Sequence, residues 1–313
     1  MKALVTGAAG FIGSHLSERL VGTGATVVGI DCFTDYYPRE LKERNLMGLR
    51  HSPGFSLVEQ PLAGADLGTL LEGVTHVFHL AAQAGVRKSW GRDFRVYTVN
   101  NVEATQILLE ACVGKPIERI VYASSSSVYG DDVALPMRED ARPQPVSPYG
   151  VTKLAAEQLC HLYHVNHGVP AVSVRYFTVY GPRQRPDMGF SRFFTAIMRH
   201  QAVPMFGDGR QTRDFTFVAD AVSATVAAAT RGTPGGVYNI GGGSRVGLLD
   251  VFELIGTITG QPLRIERLEP QRGDMRDTYA DTARARADLA FAPTVTLEQG
   301  LRAQYEWMMA GHD

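Results

Sequence analysis

Cysteine is scarce in this chain of 313 residues, which has three: Cys32, Cys112 and Cys160. Their odd number and wide spacing give neither a disulfide framework nor a metal-ligand pattern, so no metal site is expected. Three reduced thiols suit a cytoplasmic protein. Long apolar runs are missing too. No stretch reaches the roughly 18 residues that suggest a membrane span, and the N-terminus enters a strand without a basic, apolar leader. No membrane partner is expected. Nor is one sign of charge in excess: 31 Lys and Arg against 32 Asp and Glu leave a formal net charge of −1. That balance argues against nucleic acid as a partner and for a small ligand. Internal repeats and low-complexity segments are absent.

Hydrophobic residues make up 44% of the chain, enough for one large α/β domain and a smaller one. Short runs rich in Val, Ile and Leu recur at Lys2 to Thr6, Thr26 to Asp31, His76 to Ala81, Arg119 to Ser124, Ala171 to Tyr176 and Val237 to Ile240. Such runs predict buried parallel strands. Helical patterns lie between them at Phe11 to Val21, Asp93 to Cys112, Pro148 to His167 and Val218 to Thr230. The alternation predicts an α/β fold, a Rossmann-type doubly wound parallel sheet. After Phe177 the rhythm breaks into loops and short helices such as Ser191 to His200 and Leu248 to Thr259. The expected division is a dinucleotide-binding domain over 1–177 plus about 217–242, and a smaller C-terminal lobe over about 178–216 and 243–313.

The run Val5-Thr6-Gly7-Ala8-Ala9-Gly10-Phe11-Ile12-Gly13 closes the first strand and opens the first helix. Gly7 permits the sharp exit, Gly10 lets backbone N–H groups approach phosphate oxygens, and Gly13 lets the helix pack close to the sheet. The positive end of the helix, at Phe11 and Ile12, then faces a pyrophosphate. Asp31, which ends the second strand, can accept both ribose hydroxyls and would repel an extra phosphate, so NAD is the expected cofactor. Asp66 and Leu67 are candidates to close over the adenine. Leu80, Ala81 and Ala82 offer small side chains where the dinucleotide passes.

Tyr149 and Lys153 form Y-x-x-x-K at a helix start, which puts both side chains on one face. There the Lys ammonium can stabilise a tyrosinate and hold the nicotinamide ribose, making Tyr149 a usable base below its ordinary pKa of about 10. Upstream, Ser124-Ser125-Ser126-Ser127-Val128-Tyr129-Gly130 follows a strand. A serine hydroxyl there can bond the substrate oxygen that Tyr149 deprotonates.

With these elements the chain resembles the extended short-chain dehydrogenase/reductases, in particular the NAD-dependent epimerases and dehydratases of nucleotide sugars. The resemblance implies a catalytic trio of Ser125, Tyr149 and Lys153, with Ser127 as a second contact to the sugar hydroxyl and Asn101 as a supporting residue. Three stretches resemble more narrowly the UDP-glucuronate 4-epimerases: Asp31-Cys32-Phe33-Thr34-Asp35-Tyr36-Tyr37, Ala81-Ala82-Gln83-Ala84-Gly85-Val86-Arg87, and Arg175-Tyr176-Phe177-Thr178-Val179-Tyr180-Gly181-Pro182, completed by Arg185-Pro186-Asp187-Met188. Gln184 departs from the family, which often has Gly there, and Arg272 stands where Pro is usual. Related dehydratases carry Asp-Glu where Ser126 and Ser127 stand, and related decarboxylases carry Glu at Ser127, so both reactions are disfavoured.

The resemblance implies reversible C4 epimerisation of UDP-glucuronate to UDP-galacturonate through a 4-keto sugar and tightly bound NAD. A UDP-glucose 4-epimerase, a UDP-glucuronate decarboxylase and a non-catalytic NAD-binding protein remain alternatives. A 4-keto uronate loses carbon dioxide easily, so its carboxylate needs a clamp. Arg185 and Thr178 are the expected pair, with Arg87 and Ser89 as lesser candidates. Phe206 with Arg213, and then Arg276, are expected to hold the nucleotide diphosphate. The two helices at Asp93 to Cys112 and Pro148 to His167 are apolar enough to pair in a homodimer.

Overall fold

The computed structural model describes residues 1–311. Seven strands, β1 (Lys2–Thr6), β2 (Thr26–Asp31), β3 (Phe55–Glu59), β4 (His76–His79), β5 (Arg119–Ser125), β6 (Ala171–Tyr176) and β7 (Val237–Ile240), form one sheet in the order β7-β6-β5-β4-β1-β2-β3. Every neighbouring pair is parallel. The order reverses between β1 and β4, and in such sheets ligands bind at that switch point, outside the carboxyl ends of the strands.

Seven helices matter to the site: α1 (Phe11–Gly22), α2 (Ala104–Cys112), α3 (Pro148–His167), α4 (Gly189–Met198), α5 (Val218–Arg231), α6 (Leu248–Thr259) and α7 (Leu297–Ala310). Alternate strand residues face opposite ways, and each face is covered. Val5, Val121 and Val172 pack with Leu16 and Leu20 of α1 and Val222 and Ala224 of α5. Leu4, Val77 and Ile120 pack with Leu108 and Leu109 of α2 and Ala156 of α3. This is the doubly wound architecture. A third buried cluster contains Tyr180, Phe190, Phe193 and Phe194, with Phe252 of α6 and Leu301 of α7. Its rings meet closely, Phe190 and Phe215 at 4.8 Å and Phe193 and Phe252 at 5.1 Å between centroids. Among the described residues no helix is long and apolar enough to cross a membrane.

Four local differences from the sequence pattern have physical causes. β3 carries no strong apolar signal because it is an edge strand with Ser56 and Glu59 exposed. β4 stops at His79 rather than Ala81, because the N–H groups of Leu80 and Ala81 both donate to the Thr6 hydroxyl, at 3.1 and 3.0 Å. The helical stretch before Cys112 widens into a π turn over Thr98–Glu103, with Asn101 buried in it. α4 ends at Met198, and His200 turns back with φ 53°.

Candidate active site

The glycine turn leaves β1 with Gly7 at φ 70°, a conformation that a side chain rarely adopts. A Cβ on Gly13 would collide with the Gly7 carbonyl oxygen, so the helix can approach the turn only with glycine there. α1 has no side-chain cap and no acidic residue in its first turn, which leaves its positive end and first N–H groups for an anion. Asp31 stands opposite. Its carboxylate accepts the N–H groups of Ala9 and Phe33 at 3.1 and 2.9 Å, which ties the end of β2 to the glycine turn. An open cradle for a pyrophosphate beside a fixed carboxylate for a ribose fits a dinucleotide. Ala81 borders the same turn through its backbone. Asp66 caps the helix Leu67–Leu70, accepting from Thr69 at 3.2 and 2.8 Å, and Leu67 is buried in the core below.

α3 begins cleanly because Ser147 caps it and Pro148 occupies its first turn. Gly150 then lets the helix start press against the serine loop, since a Cβ there would strike the Ser127 carbonyl oxygen. In that loop the Ser125 hydroxyl donates to Ser127 Oγ and accepts the Ser127 N–H, both at 3.1 Å. Burial raises the pKa of Tyr149 above its ordinary value, while the Arg185 charge and the Ser125 hydroxyl draw it down. Lys153 is 3% exposed, and its Nζ lies 4.4 Å from the centre of the Tyr122 ring. Burial lowers its pKa to about 7, against the pull of Glu157 one turn further along α3. Arg185 is thus a second cation near Tyr149, beside Lys153 one turn along the same helix.

A cavity of about 700 Å³ joins the start of α1, the serine loop and Tyr149 to the Arg185 segment; the three glycines of the turn, Asp31 and Lys153 are not in its wall. Phe11, Ile12, Ser125, Ser127 and Tyr149 line one end; Thr178 and Arg185 follow, and Arg87, Phe206 and Arg213 line the other. The Arg185 segment is held in place by the fold: His15 of α1 bonds the Pro182 carbonyl at 3.0 Å, and Arg183 reaches Glu18 at 2.8 Å. Gln184, the departure from the family pattern, is buried and accepts from the Ser191 N–H and from Gln304 of α7. At the far end Arg87 lies 4.0 Å from the Phe206 ring centre and pairs with Asp274 at 2.7 Å. Arg213 donates to the carbonyls of Thr212, Met275 and Arg276 and, among the described residues, pairs with no carboxylate; burial lowers its pKa. Ser89 and Arg276 are not brought to the cavity wall. Ser89 donates to the Val86 carbonyl at 2.6 Å, and Arg276, with 63% of its side chain exposed, reaches towards Asp208 at 3.4 Å.

Sequence reasoning missed several residues around this site. Arg192 lies 5.3 Å from the Phe206 ring and lines the cavity. Tyr36 and Asp187 border Arg185. Beneath the serine loop, Ser124 donates to Glu157 at 2.6 Å, and Arg175 grips the same carboxylate at 2.6 and 3.0 Å. Glu157 stands four residues beyond Lys153, so the Tyr149–Lys153 spacing continued once more was the available signal. Asn101 accepts the Gln83 N–H at 2.7 Å and donates to Thr152 at 3.0 Å, which links the π turn to α3.

Comparison with known proteins agrees with this geometry. The profile of the NAD dependent epimerase/dehydratase family matches residues 3–241. A Bacillus cereus UDP-glucuronic acid 4-epimerase, solved in complex with UDP-glucuronic acid and NAD, is similar at 44% identity with a TM-score of 0.97, over 100% of both chains. A Bacillus subtilis protein described as an uncharacterized UDP-glucose epimerase, YtcB, is 44% identical over 312 residues, 98% of each chain. The UDP-glucuronate 4-epimerase of Thermodesulfobacterium geofontis is 36% identical over 311 residues, 97% of this chain and 95% of that one.

Proposed function

The chain belongs to the NAD dependent epimerase/dehydratase family, and from that membership we propose that it interconverts UDP-glucuronate and UDP-galacturonate by inversion at C4 of the sugar. The observation that carries the proposal is the one cavity that gathers Ser125, Tyr149 and Arg185 next to the glycine turn. Gly7, Gly10, Phe11, Ile12 and Gly13 would hold the NAD pyrophosphate, Asp31 its adenosine ribose, and Leu80, Ala81, Ala82, Asp66 and Leu67 would flank it. NAD held there would supply the hydride acceptor for oxidation at C4 and the donor for reduction of the 4-keto sugar on its other face, so no outside oxidant would be used.

Tyr149 removes the proton of the 4-hydroxyl and gives it back on the opposite face. Ser125 and Ser127 bond the same oxygen, and Lys153 holds the nicotinamide ribose. Arg185 and Thr178 keep the sugar carboxylate from rotating. Phe206 supports the uracil, and Arg213 holds the diphosphate. In this reading 1–177 with about 217–242 is the NAD-binding unit, and about 178–216 with 243–313 takes the nucleotide sugar; the separate aromatic cluster supports the division. Two helix-borne patches, with Phe94, Val96 and Val99 on one and Val151, Leu162 and Val165 on the other, are exposed, which supports a homodimer. Free thiols at Cys32, Cys112 and Cys160 support a cytoplasmic location.

The name of the Bacillus subtilis relative favours a second reading, a UDP-glucose 4-epimerase. Measuring kcat/KM for UDP-glucuronate and UDP-glucose with one preparation separates the two. The uronate should be preferred by at least about tenfold, the value of a charge-assisted pair to Arg185; a preference for UDP-glucose would replace the proposal with the second reading.

A further inference from the structure

Arg185 carries its own counter-ion. Its Nε and one Nη reach the two carboxylate oxygens of Asp187, each at 3.0 Å. The Tyr36 hydroxyl donates to Asp187 Oδ2 at 3.2 Å, across 151 residues of sequence. Tyr36 belongs to the loop that follows Asp31, and its hydroxyl sits against Gly85, where a side chain would collide with it. All three side chains line the cavity. Asp187 uses the Nε edge of the guanidinium, and among the described residues the other Nη makes no hydrogen bond.

We propose that Asp187, held by Tyr36, is a positioning residue that fixes the plane of Arg185 and leaves its outer edge to grip the substrate carboxylate. The inference rests on the uronate reading above. Fixing that plane matters because a 4-keto uronate is a β-keto acid: if the C5–C6 bond to the carboxylate swings perpendicular to the C4 carbonyl plane, that bond breaks. Carbon dioxide then leaves, the bonding pair enters the ketone as an enolate, C5 takes a proton, and return of the C4 hydride to the resulting 4-keto-pentose gives the UDP-pentose. A guanidinium held at one edge keeps the carboxylate from turning, whereas a free one swings with it.

The test uses Asp187→Ala, Asp187→Asn and Tyr36→Phe in the full-length protein. UDP-galacturonate and UDP-pentose are followed by NMR, KM and kcat are measured, and UDP affinity is read by calorimetry. The pentose fraction should rise between about tenfold and a hundredfold in Asp187→Ala, the scale of a misplaced catalytic contact. It should rise less in Asp187→Asn, and about threefold in Tyr36→Phe, the share of one hydrogen bond. UDP affinity should stay within about twofold, since the nucleotide end of the cavity does not involve these residues. An unchanged pentose fraction overturns the inference and leaves the uronate reading standing. A loss of UDP affinity in step with turnover overturns it as well, because the role would then be general folding. If the unaltered protein makes no UDP-galacturonate, the uronate reading fails and the inference with it.

Discussion

Tyr149 is half-buried in the cavity wall, and two influences oppose on its phenol: desolvation raises its pKa, while Arg185 and Ser125 lower it. Arg185 therefore has two tasks in the proposed site, the carboxylate clamp and part of the electrostatic support for the base. Tyr149→Phe removes the proton-transfer group without changing the volume much. Epimerisation should fall about 10²- to 10⁴-fold with little change in thermal midpoint; a variant that keeps most of its activity in an NMR assay would remove Tyr149 from the role. Arg185→His should raise KM for UDP-glucuronate and the share of carbon dioxide released. Unchanged kinetics with no pentose product would take Arg185 out of the clamp.

Elements explain which parts of the site were legible in the sequence. The glycine turn, the serine loop and the Tyr149–Lys153 pair each lie within a few residues, so local spacing carries their geometry. Pairings made by the tertiary fold left no such trace: Tyr36 with Asp187, Arg175 with Glu157, and Asn101 with Thr152 join segments far apart in the chain. The end of β4 was misjudged for the same reason, since the Thr6 hydroxyl that terminates it comes from β1. Next to that end, His79 of β4 links Thr6 of β1 to Thr105 of α2, at 2.8 and 2.9 Å. Burial lowers its pKa from 6.5 to about 3. The unfolded chain then takes the proton first, so His79 leaves stability intact above about pH 6.5 and subtracts up to about 1.4 kcal/mol per pH unit as the pH falls towards 3. Asp214, raised by burial to about 6, acts with the opposite sign in part of that range, so the comparison must be between variants. His79→Gln should flatten the loss of stability between pH 6.5 and 4.5 relative to the unaltered protein in denaturant titrations; parallel slopes would show that His79 does not titrate in this way.

The whole molecule places the substrate-sized cavity between the carboxyl ends of a parallel sheet and an aromatic-cored lobe, and leaves apolar side chains of α3 exposed. Leu162 and Val165 of α3 are 51% and 65% exposed. Changing both to Lys should convert a dimer into a monomer in sedimentation analysis, and a monomeric unaltered protein would refute the dimer. The central claim is an internal oxidation and reduction at one sugar carbon, with the cofactor retained and the carboxylate kept. The most direct measurement is to incubate purified protein with UDP-glucuronate, adding no NAD, and to follow the sugar signals by NMR. UDP-galacturonate should accumulate until the two sugars reach equilibrium. UDP-pentose as the main product, or no turnover even after NAD is supplied, would contradict the account.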